Sequence, residues 1–545
     1  MSSTKLKDVQ MRNIDCSDFD VKVTNVINNG WPEIFRTRIM PLINEDLFEP
    51  LYDNGENGGR PSDPIAQTVG LFILKALYGI DDEELIDRSR SDLRFMHALG
   101  YNLSHVPFSD KTPQRFRRRV LKYQNETGIN VLADQFQSLS DELAGLMGID
   151  KKLNRMDSLL IDSNCKQLSR LELVYEANRS VIKMIYNNYL GCEIDRIPEE
   201  LRHYLEPNDC NKVIYHSKDT GSNSRLLNAI AEGIKVFDLL DTIKISSDSD
   251  NDKVAIHKQI MSEQCVINED KTFNLIDGKK LPADGIHSPY EPEVGYRIKG
   301  NKGHLGYAVN VNEAISDNGV GIITNIQIDT NTKSDSSFLE DFIQKEPDST
   351  GDEKTILADG SYASSKIRDE AKSKGITVIT TAFKCSMADD IYAEFEMDSE
   401  YTNCIKCPAG YQPVSCQHNG NSNICYAYFK ECATCPYKDK CKPAHVKTKK
   451  SWRVQLTKSK VENAKHKKDL EPGGKYEHLK TKRNGVEGIM SVFRRKYRLD
   501  YLPVRVLQKI SIFIYFSGIA YNITKMMKHA TFLKCGNFHQ VMTVA

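Results

Sequence analysis

Three acidic residues that lie far apart in the chain have the surroundings of metal ligands: Asp157, Asp359 and Glu487. Asp157 lies in the apolar run 155–161, which predicts a short buried strand. Asp359 follows the apolar run 355–358 and opens a turn, and Glu487 lies on a helix-like stretch rich in Lys and Arg. Mg²⁺ prefers carboxylate ligands on rigid elements, and two such ions can activate a water or a 3′-hydroxyl for phosphoryl transfer. The three acids therefore predict a two-ion Mg²⁺ or Mn²⁺ site.

Other acids compete for these roles, and any one acid alone could be a surface residue or a helix cap. Asp162 lies five residues after Asp157, so the two face opposite sides of a regular strand. Asp157 is preferred because it lies inside the apolar run, where an unpaired carboxylate is costly. Asp335 could either cap the helix that follows it or lie near the pocket.

The elements around these acids have a recognisable order. Asn318-Gly319 separates two alternating runs and predicts a hairpin. The order is a strand, this hairpin, a helix, a strand, a helix, a strand and a C-terminal helix, which is the order of a ribonuclease H-like domain. The fold class is therefore α/β within a multidomain α+β chain, with a mixed sheet and flanking helices. In that fold the first strand, the fourth strand and the last helix bring their acidic residues together.

The chain length of 545 residues predicts several domains. Residues 1–150 are expected to form a helical N-terminal DNA-binding domain. The first part of the catalytic domain is assigned to 151–384, with a helical insertion at about 163–290. A cysteine-rich insertion is assigned to 385–455, and 456–545 supply the helices that complete the catalytic domain.

The charge of the chain is distributed unevenly. The 74 basic residues balance the 74 acidic ones, so the total charge does not argue for or against nucleic acid. From Lys430 to Arg498, however, 21 Lys and Arg face 7 Asp and Glu. The N-terminus lacks the apolar core of a signal peptide, and the apolar segment 510–520 is too short to span a bilayer. We therefore expect a cytoplasmic protein without membrane contact.

Basic side chains near two helices are candidate DNA contacts. The run around Phe116 predicts either the basic helix of a helix-turn-helix reader or a helical bundle with a solvated basic face. Arg483 and Arg494 share a helix face with Glu487, where they suit contacts to a scissile phosphate. A structural i,i+4 ion pair between Arg483 and Glu487 is the alternative. The candidate DNA contacts are Arg115, Arg117, Arg118, Arg119, Arg483, Arg494 and Lys496.

The cysteines provide a second signal. In a reducing compartment a dense cysteine cluster favours metal binding over disulfides. Two Cys-x-x-Cys pairs with a nearby fifth cysteine predict a structural zinc site, against free thiols as the alternative. The candidate zinc ligands are Cys404, Cys407, Cys432, Cys435 and Cys441. The ligand set stays open, with Cys407, Cys432, Cys435 and Cys441 as an evident quartet.

Taken together, these motifs resemble a bacterial insertion-sequence transposase of the DDE type. The resemblance covers nearly the full chain and favours Asp157 over Asp162. One departure is the tyrosine expected shortly before Arg483, where Lys480 stands. The matching segments are Gly59–Pro64, Leu77–Gly79, Phe116–Arg119, Met156–Ser158, Gly306-Tyr307 with Asn310, Ala358–Tyr362, Arg483-x-x-x-Glu487, Cys407-Pro408 and Cys432-x-x-Cys435-Pro436 with Cys441.

This resemblance implies an enzyme that cleaves transposon ends and transfers the strand into target DNA. It implies Asp157, Asp359 and Glu487 as the catalytic triad and double-stranded DNA as partner, both as terminal inverted repeats and as target. A homodimer in the DNA complex and a nucleoid-associated location in the bacterial cytoplasm are further expectations. The alternative is a transposase-derived repressor or a structure-selective nuclease without strand transfer.

Overall fold

The computed structural model describes most of the chain. The described residues are 5, 14, 17, 19–52, 62–215, 221–282, 284–347, 353–362, 364–380, 390–420 and 422–529. The predicted boundary between 384 and 385 lies outside them, as do Gly59, Arg60 and Pro61 of the first motif.

The α-helices of the described residues, in chain order, are α1 Val21–Asn28, α2 Trp31–Ile34, α3 Ile65–Tyr78, α4 Asp82–Ser91, α5 Leu93–Leu99, α6 Thr112–Thr127, α7 Val131–Leu146, α8 Arg170–Asn188, α9 Ser222–Asp241, α10 Asp248–Gln264, α11 Asp335–Lys345, α12 Ser365–Ser373, α13 Lys438–Cys441, α14 Lys458–Asp469, α15 Gly485–Arg495 and α16 Leu507–Lys528. The strands are β1 Leu153–Asp162, β2 Cys265–Ile267, β3 Phe273–Leu275, β4 Gly295–Lys299, β5 Lys302–Ile315, β6 Gly321–Thr330, β7 Lys354–Ala358, β8 Ile376–Thr380, β9 Glu396–Met397, β10 Cys404–Lys406, β11 Ser415–Asn419, β12 Ile424–Phe429, β13 Ala444–Val446 and β14 Ser451–Thr457.

A six-stranded mixed sheet carries Asp157 in β1 and leads directly to Asp359 at the end of β7. Its order is β4–β5–β1–β7–β8, and β6 also pairs with β5. β1 runs antiparallel to β5 and parallel to β7, and β7 runs parallel to β8. β5 and β6 form the predicted hairpin, in whose turn Gly319 has a φ of 80° that favours glycine. This order confirms the predicted α/β class with a ribonuclease H-like sheet.

The N-terminal helices and the sheet share one hydrophobic core through α16. Phe516 of α16 stacks on Phe72 of α3, with ring centroids 5.3 Å apart. The fully buried Asn522 exchanges two 2.8 Å hydrogen bonds with the backbone of Ile323 in β6. These bonds satisfy backbone groups of an edge strand, which would otherwise be left unpaired. The apolar segment 510–520 thus lies within a core helix.

Among the described residues, no helix combines the length and the apolar character needed to cross a membrane.

The segment between β1 and β4 forms a helical insertion with its own apolar clusters. α8 begins with a capping box, in which Ser169 and Glu172 satisfy each other's backbone N–H groups. α8 packs against both α9 and α10, and the short hairpin β2–β3 follows α10.

The helical insertion should lose stability at alkaline pH. His203 lies 2.7 Å from Asp209 and 3.5 Å from Glu232. Burial alone would lower the pKa of His203, but its hydrogen bonds to Glu232 and Asp209 raise it to about 9. An unfolded histidine has a pKa of about 6.5. The protonated form of His203 therefore stabilises the fold fully below about pH 6.5, and this stabilisation is lost as the pH rises through about 9.

Urea unfolding across that pH range should show the loss of stability in the native chain, and the His203→Gln variant should not show it. An identical pH dependence in both proteins would contradict the prediction.

The cysteine-rich insertion is built on small antiparallel sheets. β11, β12, β14 and β13 form a four-stranded sheet in that order, and β9 pairs with β10. Cys425, Phe429 and Leu456 are buried in the core of this unit, and α14 leads the chain back towards the large sheet.

Candidate active site

Asp157 lies in the middle of β1, the strand between β5 and β7. Its side chain is 20% exposed and accepts a 2.8 Å hydrogen bond from the Ser158 N–H. Burial raises the pKa of Asp157, and the Ser158 N–H together with the charge of Arg483 only partly offsets this. A cation close to this carboxylate would therefore favour its charged form.

Asp359 follows the last residue of β7, next to β1. The parallel register pairs Asn154 with Ile356 and Arg155 with Leu357. Extended by two residues, this register places Asp157 at the same level as Asp359. Side chains at one level of neighbouring strands point to the same face of the sheet. Two catalytic candidates from distant segments are thus brought side by side.

The buried side chain of Tyr362 holds the turn after Asp359 in place. This tyrosine is fully buried, and its hydroxyl donates a 2.8 Å hydrogen bond to Asn310 on β5. Asn310 is the β5 partner of Ser158, the neighbour of Asp157. Two motifs that are far apart in sequence therefore hold the strand end that carries Asp359.

Glu487 lies in the first turn of α15, and Arg483 lies just before that helix. The Arg483 guanidinium contacts both acids, with Nη1 3.2 Å from Glu487 and Nη2 3.4 Å from Asp157. The i,i+4 ion pair between Arg483 and Glu487 is thus present, and Arg483 also forms an ion pair with Asp157. Arg483 Nε is buried without a hydrogen-bond partner among the described residues. Arg483 is therefore the counter-charge of two predicted metal ligands, Asp157 and Glu487, and its Nε–H makes no hydrogen bond among the described residues.

Arg155 is a positioning residue that the sequence analysis missed. Its side chain forms an ion pair with the fully buried Glu313 across β1 and β5. Arg155 Nη1 also donates a 2.7 Å hydrogen bond to the Lys482 carbonyl, just before α15. A Cβ on Gly485 would lie 1.8 Å from Arg155 Nη1, so a larger residue would have to displace this ion-paired guanidinium. A charged residue inside an apolar strand was the available signal, because buried charges need partners.

Asp162 and Asp335 do not take the places of the three acids. Asp162 contacts His304 at 2.8 Å and Lys302 at 3.6 Å, on the face of β1 opposite to Asp157. Asp335 does not cap α11, since Ser334 does. The Asp335 carboxylate instead accepts hydrogen bonds from Ser158 at 2.7 Å and Ser361 at 3.0 Å. It therefore lies at the edge of the site.

The three carboxylates are ligands of the kind that Mg²⁺ prefers, although their side chains do not surround a common point. Among the described residues, no three carboxylate, imidazole or thiolate groups lie close enough to hold a metal ion. Repulsion between carboxylates keeps such groups apart unless a cation lies between them. Here Arg483 is that cation for Asp157 and Glu487. Asp157, Asp359 and Glu487 would be the residues to hold the metal.

The other basic candidates lie in different settings. Arg115 and Arg118 are exposed on α6 and line one groove with Arg119, which covers the Tyr52 ring at 4.5 Å. Arg117 does not line this groove and instead forms an ion pair with Asp82 of α4. Burial alone would raise the pKa of Asp82, but Arg117 and Lys75 lower it to about 2.

Arg494 and Lys496 lie at the far end of α15. Arg494 Nε is 3.6 Å from Asp500, with the arginine side chain half-exposed. Lys496 lines a groove between α3 and the C-terminal segment, and burial lowers its pKa. Of the three basic candidates in this region, Arg483 is the one that contacts the predicted acids.

The cysteines of the insertion fall into two groups. Burial and the nearby thiols of Cys435, Cys407 and Cys432 together raise the pKa of Cys441 to about 12. Cys404 belongs to the other group, with Cys416 and Cys425. Burial, these two thiols and that of Cys407 raise the pKa of Cys404 to about 12. The first group is the quartet considered from sequence, and Cys407 lies near both groups.

Comparison with known families adds two matches. Residues 28–119 match the family described as Transposase domain (DUF772), and residues 406–527 match the Transposase DDE domain. The two matches support the resemblance to an insertion-sequence DDE transposase. The first transposase match ends at Arg119 of α6, and the second includes Glu487 and the cysteine quartet. The comparison with curated proteins and that with solved structures gave no match.

Proposed function

We propose that this chain cleaves DNA at the ends of its own transposon and joins the freed 3′-hydroxyl to target DNA. The observation that carries the proposal is the contact of Arg483 with both Asp157 and Glu487, beside the strand end that holds Asp359. These residues come from three distant segments. Their convergence at one face of the sheet is what phosphoryl transfer at a carboxylate site requires.

In this proposal each residue has a defined task. Asp157, Asp359 and Glu487 would hold Mg²⁺ or Mn²⁺, which when bound supplies activation of the attacking hydroxyl and stabilisation of the leaving oxygen. Arg483 exchanges its contacts with the carboxylates for the scissile phosphate, which a guanidinium binds through parallel N–H groups. Arg115, Arg118 and Arg119 contact the phosphate backbone away from the cleavage point.

The decisive experiment uses purified chain, Mg²⁺ and a duplex that carries the DNA flanking the coding sequence. Nicks at the terminal inverted repeats, followed by joining to a target plasmid, are the expected products. Cleavage without a joined product would instead identify a structure-selective nuclease. Binding without cleavage would identify a transposase-derived repressor. We further expect two copies of the chain in the DNA complex, acting on chromosomal DNA in the bacterial cytoplasm.

We also propose that Cys407, Cys432, Cys435 and Cys441 bind one structural Zn²⁺. Tight turns follow two of them, since the Gly410 N–H bonds the Cys407 carbonyl at 2.8 Å and the Lys438 N–H bonds the Cys435 carbonyl at 3.1 Å. Four thiolates in a small domain are a typical zinc ligand set, and the ion would offset their mutual repulsion.

Elemental analysis of the purified chain tests this proposal, with about one zinc per chain expected for a single four-ligand site. Cys432→Ser with Cys435→Ser should lose the zinc and destabilise the insertion. Cys192→Ser changes an exposed cysteine of the helical insertion and should retain the metal. A native chain without zinc would reject the proposal.

A further inference from the structure

The four-stranded sheet of the cysteine-rich insertion has two unlike faces. One face is buried, with Cys425 and Ala427 of β12 opposite Leu456 and Val454 of β14. Because side chains alternate along a strand, Tyr426, Tyr428, Arg453 and Gln455 lie on the other face. We call this second side of β11, β12, β13 and β14 the outer face.

The outer face is positively charged. None of the four strands contains Asp or Glu. Between Lys430 and Thr457 the sequence has eight Lys and Arg against two acidic residues. Within the described residues, neither Lys449 nor Arg453 forms an ion pair. The positive charge of this face is therefore not neutralised by neighbouring carboxylates.

Two of these cations are held against aromatic rings. Lys449 Nζ lies 3.8 Å from the centre of the Tyr428 ring, and Arg453 Cζ lies 4.9 Å from that of Tyr426. The contacts restrict the long side chains and hold their charges close to the sheet. The face thus combines ordered cations and aromatic rings with exposed amides such as Gln417 and Gln455.

We propose that the outer face is a second DNA-binding surface, which contacts the phosphate backbone of the DNA that the catalytic site cleaves. The inference rests on the proposed function, because it takes the substrate to be DNA. Phosphodiesters supply the negative charge that the face lacks, at a high and regular density. Contacts of this kind position a duplex without reading its sequence. The surface is separate from Cys416 and Cys425, which lie on the buried side of β11 and β12.

Salt-dependent binding to a fluorescent random-sequence duplex tests this proposal. Lys449→Gln and Arg453→Gln are combined in one variant with Lys447→Gln, which changes an exposed lysine of the turn between β13 and β14. The control combines Lys258→Gln, Lys279→Gln and Lys280→Gln, three exposed lysines of the helical insertion. Each lost phosphate contact should reduce the slope of log affinity against log salt by about 0.9. The first variant should therefore lose between about two and three in slope, and the control should keep the native slope.

A second variant covers the possibility that the first one unfolds. Gln417→Glu with Gln455→Glu adds two carboxylates to the outer face and leaves the ring contacts in place. It should also weaken binding, with an unchanged thermal unfolding midpoint. Native slopes in both outer-face variants would overturn the inference.

The outcomes separate this inference from the proposed function. If the chain does not act on DNA, the native protein itself will show neither cleavage nor salt-dependent binding. If only the inference fails, the native chain will cleave and the outer-face variants will bind as it does. Binding to polyglutamate in place of the duplex, with loss in the outer-face variants, would assign the face to an acidic protein and also overturn the inference.

Discussion

Replacing Asp157 or Asp359 with asparagine is expected to abolish metal-dependent DNA cleavage while DNA binding persists. Asparagine keeps the shape of the side chain but removes the charge that a divalent ion needs. A metal ion contributes several kcal/mol to the stabilisation of the transition state. Each 1.36 kcal/mol corresponds to a tenfold change in rate, so we expect a loss of roughly a thousandfold or more. Single-turnover cleavage of an end-bearing duplex measures the rate, and a gel-shift titration measures binding.

Asp162→Asn is the matched control on the same strand. Its carboxylate contacts His304 and Lys302 on the opposite face, so the cleavage rate should stay within a few-fold of the native value. Loss of cleavage in Asp162→Asn together with normal cleavage in Asp157→Asn would reverse the assignment. Normal cleavage in Asp359→Asn would remove this residue from the triad.

Gly485→Ala is expected to destabilise the chain and to inactivate it. The new Cβ would lie 1.8 Å from Arg155 Nη1 and 2.4 Å from its Cζ, in the place of a buried guanidinium. Overpacking of this kind costs about 1–3 kcal/mol. The clash can be relieved by a shift of the guanidinium, which would break its ion pair with Glu313, or by a shift of α15, which would carry Glu487 away from Asp157. Urea unfolding measures the free energy of unfolding, and the cleavage assay reports the displacement.

Gly488→Ala provides the control on the same helix. A Cβ there meets no atom within 4 Å, so alanine should stabilise the helix by up to about 1 kcal/mol. We therefore expect the free energy of unfolding to fall in Gly485→Ala and to rise in Gly488→Ala. Two stabilising substitutions would show that Arg155 does not restrict the approach of α15.

Arg155→Ala tests the same contact from β1. It leaves the fully buried Glu313 without its partner, which typically costs about 3–5 kcal/mol. It also removes the hydrogen bond to the Lys482 carbonyl, so α15 should lose its anchor. A free energy of unfolding equal to that of the native chain would contradict this role.

The strand order could be predicted because it depends on local patterns. Alternating apolar residues, the Asn318-Gly319 turn and the apolar run around Asp157 each specify an element without knowledge of its neighbours. The role of Asn310 could not be predicted in this way. Its bond to Tyr362 joins residues 52 positions apart, and the hydrogen-bond distance exists only once β5 lies beside β1.

The assignment of the basic residues shows the same division. The sequence placed Arg115, Arg117 and Arg118 on one short helix, but helical spacing alone does not say which of them has an acidic neighbour. Packing of α6 near α4 pairs Arg117 with Asp82, whereas Arg115 and Arg118 remain exposed. Ion pairing between elements depends on tertiary distances, which sequence patterns do not contain.

The sequence by itself determined the fold class and the resemblance to DDE transposases, and it predicted the three acids, since these follow from residue type and local order. The tertiary structure decided that Asp157 and Glu487 share one counter-charge in Arg483. It also decided that Arg155 and Gly485 set the distance between β1 and α15. Both features depend on the close approach of segments more than 300 residues apart in the chain. Ion pairs and steric clashes act over only a few ångströms, so they arise only once the chain has folded.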